Sequence, residues 1–99
     1  MYISVIGTDK PGMAEVRSAN FDAFAEFLRD HPEFPDVKLH HGGPLLAADG
    51  ETPIGTQLVV EAPSIEAAEN FIKASPFGRL DLYAEVHVRP WRWLTGRPD

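Results

Sequence analysis

The chain has 99 residues, with nine Lys plus Arg against fifteen Asp plus Glu, a formal net charge of −6 and no Cys. This length holds one domain, read over residues 1–99, with one modest core. Thiol catalysis, thiolate metal sites and disulfides are excluded, and the acidic balance opposes a general nucleic-acid binder.

In chain order, residues 2–8 are apolar and β-rich, and Asp9-Lys10-Pro11-Gly12 stops them, so they read as a first strand. Residues 14–30 lack Pro and Gly, and Val16, Phe21, Phe24, Phe27 and Leu28 recur near helical spacing. The spacing predicts one long helix there, ended by His31-Pro32. Residues 36–47 start as a strand that Gly42-Gly43-Pro44 interrupts, which predicts an edge strand or a bulge. Asp49-Gly50 marks a turn, and residues 56–62 read as a strand apolar on both faces. Ser64 is placed to cap a second helix whose stripe is Ile65, Ala68, Phe71 and Ile72, closed by Ser75-Pro76. Residues 76–81 read as irregular. Residues 82–89 alternate, with Leu82, Ala84, Val86 and Val88 on one face and Tyr83, Glu85, His87 and Arg89 on the other.

The order strand, helix, strand, strand, helix, strand predicts an α+β, ferredoxin-like βαββαβ sandwich: a four-stranded antiparallel sheet with two helices on one face. The other face, with Tyr83, His87, Gln57 and Val59, suits packing against a second copy. A homodimer is therefore expected, with Trp91 and Trp93 buried on the partner. The start of the chain has no signal-peptide pattern, and no apolar run approaches a membrane span, so a soluble cytoplasmic protein is expected.

Four His are present. His31 reads as a helix-end residue. His40 and His41 are adjacent on a strand and should point to opposite faces, so they cannot share a metal within one subunit. His41 stands beside Gly42-Gly43, where the backbone is open to a ligand, which makes it the candidate base. His87 is a candidate for an inter-subunit cavity. Arg17 is a fork donor suited to an anionic group. No His-x-His, His-Glu-x-x-His, nucleophile elbow or phosphate loop is present, so neither metal nor cofactor is expected.

Gly43-Pro44-Leu45-Leu46, Asp49-Gly50-Glu51-Thr52-Pro53-Ile54-Gly55, Val59 to Ala68, Ser75-Pro76-Phe77 and Val88-Arg89-Pro90-Trp91-Arg92-Trp93 occur in order. In these pieces the chain resembles the YciI-like (YCII-related) family of small dimeric α+β barrel proteins over nearly its whole length. The resemblance implies homodimers and a cleft near the subunit interface, in which a His–Asp pair has been proposed as catalytic. One relative is linked to dehydrochlorination of chlorinated hydroxyquinol-type aromatics, and fold neighbours include muconolactone isomerases. The family's Arg-Pro-Ala-His-like stretch reads Phe21-Asp22-Ala23-Phe24 here, and its Asp-Pro-Tyr reads Ser75-Pro76-Phe77. Phe24 and Ser75 thus stand at the positions of the pair, while Arg17 matches the family's Arg. The leading expectation is a small-molecule binder whose ligand sits in a cleft at the dimer interface, with Arg17, Phe24, Gly43, Ser75 and His87 around it. The alternatives are a lyase or isomerase acting on a small ring or acidic metabolite with His41 as base, and a non-catalytic structural or interaction module, including a regulatory subunit joined through an edge strand.

Overall fold

The computed structural model describes residues 1–98; of the domain read over 1–99, Asp99 lies outside the described residues. The elements are β1 (Tyr2–Asp9), α1 (Ala14–Ala19), α2 (Phe21–Arg29), β2 (Lys38–Leu46), β3 (Pro53–Glu61), α3 (Ile65–Ala74), α4 (Pro76–Arg79) and β4 (Tyr83–Pro90). All strand pairings are antiparallel, and the sheet order is β2-β3-β1-β4. This is the expected ferredoxin-like layout, with a central β1 and β3 and two edge strands.

The period of two along β1 fixes the layers. Ile3 and Val5 are buried and register against Val60 and Leu58 of β3. With Phe24, Phe71, Ile72 and Phe77 they form one apolar core between sheet and helices. Tyr2, Ser4 and Ile6 have the opposite parity and face away from the helices with Val59 and Gln57.

Four details of the helices and strands differ from the sequence reading. The long helix is broken at Asn20, whose backbone sits at φ −114°, ψ 9°. Its Nδ2 donates to Val16 O at 2.9 Å, so a side chain competes for a helical acceptor and the axis restarts at Phe21. Residues 76–79 are not irregular but form α4. Ser75-Pro76 closes α3 and also opens this turn, with Ser75 as N-cap and Pro76 at the first helical position. Gly78 is required there, because a Cβ would overlap the carbonyl of Ile72.

The other two corrections are bulges. Asp9 pairs with Tyr83 but Thr8 pairs with Glu85, so Ala84 is the extra residue. The slip turns Tyr83 toward the core, where it is buried, and leaves Ala84 and Glu85 exposed. Gly7 accommodates this: a Cβ on it would lie 2.7 Å from the Tyr83 ring. In β2, Leu39 pairs with Val60 and His41 with Val59, so His40 is the extra residue. The adjacent His40 and His41 therefore share a side. Their rings lie 5.3 and 5.4 Å from the ring of Trp93.

Trp93 itself corrects the expectation of burial on a partner. It is 5% exposed within its own chain, edge-on to Tyr2 at 5.2 Å, with Nε1 donating to Thr95 O. The tail thus folds back over the β1–β2 end of the sheet's outer face. Trp91 remains 40% exposed beside it. No helix among the described residues is long and apolar enough to cross a membrane.

Candidate functional site

The chain's buried polar chemistry gathers on the helix side of the sheet. Asp9 ends β1, and α1 starts five residues later and brings Arg17 back over it. Arg17 Nε donates to Asp9 Oδ2 at 2.6 Å and Nη2 to Asp9 Oδ1 at 2.8 Å. Both side chains are below a tenth exposed. A charged fork sealed this deeply is tolerable because the carboxylate meets it with two bonds. Nη2 also donates to Thr56 Oγ1 at 2.8 Å, as does Tyr83 Oη at 2.8 Å. Burial pushes the Tyr83 phenol up, and its bond to Thr56 offsets only part of that.

An aromatic stack backs this network. The Arg17 guanidinium lies 4.7 Å from the Phe77 ring centroid, and Phe24 stacks on Phe77 at 4.2 Å with the rings 17° apart. Phe24 is thus part of the wall, and its position carries no proton-transfer group.

Two adjoining cavities open between the α1–α2 pair and β2, of about 330 and about 280 Å³. They share Arg17, Phe21 and Pro44. The first adds Ser18, Asp22 and Thr52; the second adds Phe24, Gly43 and Thr56. Gly43 pairs with Gln57, so a Cβ there would point to the outer face, where nothing lies within 4 Å of it.

Of the residues singled out in the sequence, Arg17, Phe24 and Gly43 come together in this cleft. Ser75 does not. It is fully buried, and its Oγ donates to Ile72 O at 2.6 Å and accepts from Gly78 N at 3.1 Å. Those bonds serve the α3–α4 junction, and Ser75 lines neither cavity. His41 pairs with Val59 on the outer face, where it lines a separate recess of about 220 Å³ with Gln57 and Gly43. His87 is also on the outer face, exposed, between Glu85 Oε2 at 3.2 Å and Arg89 Nη2 at 3.3 Å.

The sequence reading missed Asp9, Thr56 and Tyr83. Thr56 had a usable signal: it is polar at the parity of Leu58 and Val60, which face the core. Asp9 was masked by the turn residues after it, and Tyr83 by the bulge. On the outer face, Nε2 of His40 lies 2.9 Å from Glu61 Oε1, and this bond holds the Glu61 carboxyl below its ordinary value.

Residues 1–92 match the model of the YCII-related domain. Among solved structures, the fold is similar to 5-chloro-2-hydroxyhydroquinone dehydrochlorinase from Burkholderia phenoliruptrix AC1100 in complex with 2,5-dihydroxybenzoquinone. That likeness has a TM-score of 0.80 and 29% identity, over 93% of this chain and 94% of the other. A search of curated proteins finds no match.

Proposed function

The chain belongs to the YCII-related family, and from that premise we propose that it binds a small oxygenated ring compound in the cleft between the α1–α2 pair and β2, without the family's His–Asp proton transfer. The observation that carries this reading is the pair of adjoining cavities that share Arg17 and border Phe24. Their volumes lie about the lower limit of the roughly 300–1,000 Å³ range of ligand pockets, one just above it and one just below, which suits a single ring. The similar dehydrochlorinase holds a ligand of that size.

The polar parts of a binding site are present, and the parts for acid–base work are not. A general base must reach the proton that it removes. Position 24 offers a phenyl ring, and the hydroxyl of Ser75 is committed to two local backbone groups. Binding without dehydrochlorination is therefore the expected behaviour. The working unit is a homodimer in the cytoplasm, formed through the sheet's outer face. Exposed Trp91 and half-buried Ile6 support that contact, and the absence of Cys suits a reducing compartment.

Lyase or isomerase chemistry with His41 as base is a second reading, and the recess beside His41 favours it. His41 and Arg17 lie on opposite faces of the sheet, so such a ligand, on the face that also carries His87, would occupy a different site from the cleft.

Titration of 2,5-dihydroxybenzoquinone into ¹⁵N-labelled protein separates the readings. The expected result is amide shifts clustered at residues 17–25, with no turnover of 5-chloro-2-hydroxyhydroquinone. Shifts confined to His41, Gln57 and His87 would favour the second reading. No shift at either place, or turnover, would overturn the proposal.

A further inference from the structure

β4 is one of the sheet's two edges, and it lacks the protection that β2 has. β2 carries the His40 bulge and Pro44, two features that discourage the addition of another strand. In β4 the register against β1 is regular from Glu85 to Pro90. Trp91 N donates to Tyr2 O at 2.9 Å, so by the alternation of an antiparallel ladder Arg89 and His87 turn their backbone groups toward β1. Val86 and Val88 turn theirs away from the sheet. Their side chains lie on the helix side, where they line a groove of about 220 Å³ with Ile72 and Lys73 of α3. Val86 is 39% exposed there.

The charges along this strand are antisymmetric about His87. Glu85 stands two residues before it and Arg89 two residues after it, and both are exposed on the outer face. An antiparallel copy of β4 centred on His87 sets Glu85 against the partner's Arg89 and Arg89 against the partner's Glu85. It also sets Val86 against the partner's Val88, and these are the residues whose N–H and C=O groups point outward, so each such pair can exchange two hydrogen bonds. Neighbouring registers lose this match. Centring on Val88 would oppose Val86 to the partner's Pro90, which has no N–H. Centring on Val86 would oppose Val88 to the partner's Ala84, at the bulge.

We propose that β4 pairs antiparallel with β4 of a second copy of this chain, in the register centred on His87, and joins the two four-stranded sheets into one. Opposite charges meet on the outer face, and the valines of the two copies meet on the helix side and close the open flank of the groove. The contact runs edge to edge, so it is separate from the outer-face contact and independent of the cleft. A single strand pair buries less than the roughly 800 Å² per partner of a standard interface, so association is weak and reversible and is best trapped covalently.

The chain has no Cys, so one introduced thiol reports the contact. In this register the two residues at position 87 form a non-hydrogen-bonded pair with Cα atoms about 4.5 Å apart, within disulfide reach. The two residues at position 85 lie about 14 Å apart, beyond it. Under copper phenanthroline at pH 8, His87→Cys should give a disulfide-linked dimer on a non-reducing gel, and Glu85→Cys should stay monomeric. Adding Val86→Pro to His87→Cys should abolish the dimer, because it removes only an outward N–H, and circular dichroism checks that the fold persists. A second set of variants avoids Pro. In the His87→Cys background, Glu85→Arg and Arg89→Glu should each slow cross-linking by roughly threefold or more, and mixing the two should restore it, since the mixed pair opposes unlike charges at both places. Failure of His87→Cys to link, equal linking of Glu85→Cys, or no recovery on mixing would overturn the edge pairing. A link that survives Val86→Pro would also overturn it and would mark the outer-face contact instead, so the two contacts are told apart.

Discussion

Replacing Asp9 with Asn tests how the buried Arg17 charge is held. The two side chains are 8% and 5% exposed, so solvent cannot stand in for the lost carboxylate. Asn offers one acceptor oxygen and turns an NH₂ toward a second guanidinium N–H, so one bond is lost and two donors are opposed. Removing one partner of a buried pair costs about 3–5 kcal/mol. A domain this size has roughly 5–15 kcal/mol in total, so Asp9→Asn should remove about a fifth of it or more. In a chain this short each kcal/mol moves Tm by roughly 4–8 °C, which puts the fall at about 12 °C or more. Urea unfolding followed by circular dichroism gives the free energy directly. The double variant Asp9→Leu with Arg17→Met removes both charges. It should sit well above the single variant in stability, because an apolar pair needs no desolvated counter-charge. A loss below about 1 kcal/mol for Asp9→Asn would refute the reasoning, since that is the size of an exposed ion pair.

Two further outcomes are expected. The Asp49 carboxylate accepts from Thr52 Oγ1 and from the backbone N–H groups of Thr52 and Glu51, and the Thr52 hydroxyl is the main reason that its pKa falls from 3.8 to about 2. A depressed carboxylate stabilises the fold above its unfolded pKa and loses that contribution as pH falls through the folded value. The turn should therefore hold at pH 4 and weaken toward pH 2. Carboxyl NMR should show a midpoint near 2 that Thr52→Val moves back toward 3.8. Ser75→Ala removes the N-cap of α4 and should cost about 1 kcal/mol in urea unfolding. It should leave 2,5-dihydroxybenzoquinone binding unchanged; a tenfold loss of affinity would place Ser75 in the site after all.

Positions 24 and 75 have different structural roles. Phe24 stacks on Phe77, whose ring the Arg17 guanidinium also faces, so it walls the cleft beside the ion pair. Ser75 keeps a capping task at the α3–α4 junction with only a hydroxyl. Beside them, Arg17, Thr56 and Tyr83 stay connected through the Thr56 hydroxyl.

Much of the fold was legible because it follows from periodicity and punctuation. The parity of Ile3 and Val5 marks a strand with one buried face, the stripe of Ala68, Phe71 and Ile72 marks a helix, and Ser64 marks where it starts; each depends only on neighbours within a turn or two. The five motifs from Gly43-Pro44 to Trp91-Arg92-Trp93, taken together and in order, sufficed for the family. Only the tertiary structure decided the rest. A bulge is a one-residue slip against a strand that is distant in sequence. No local pattern announces that Ala84 is extra and Tyr83 faces inward, or that His40 and His41 share Trp93. The network of Asp9, Arg17, Thr56 and Tyr83 joins β1, α1, β3 and β4, and its closure depends on the Ala84 bulge that turns Tyr83 inward and on the return of the chain after Pro11-Gly12. Sequence determined which faces are apolar, because burial follows residue type; the structure alone determined which polar groups meet, because that depends on long-range register.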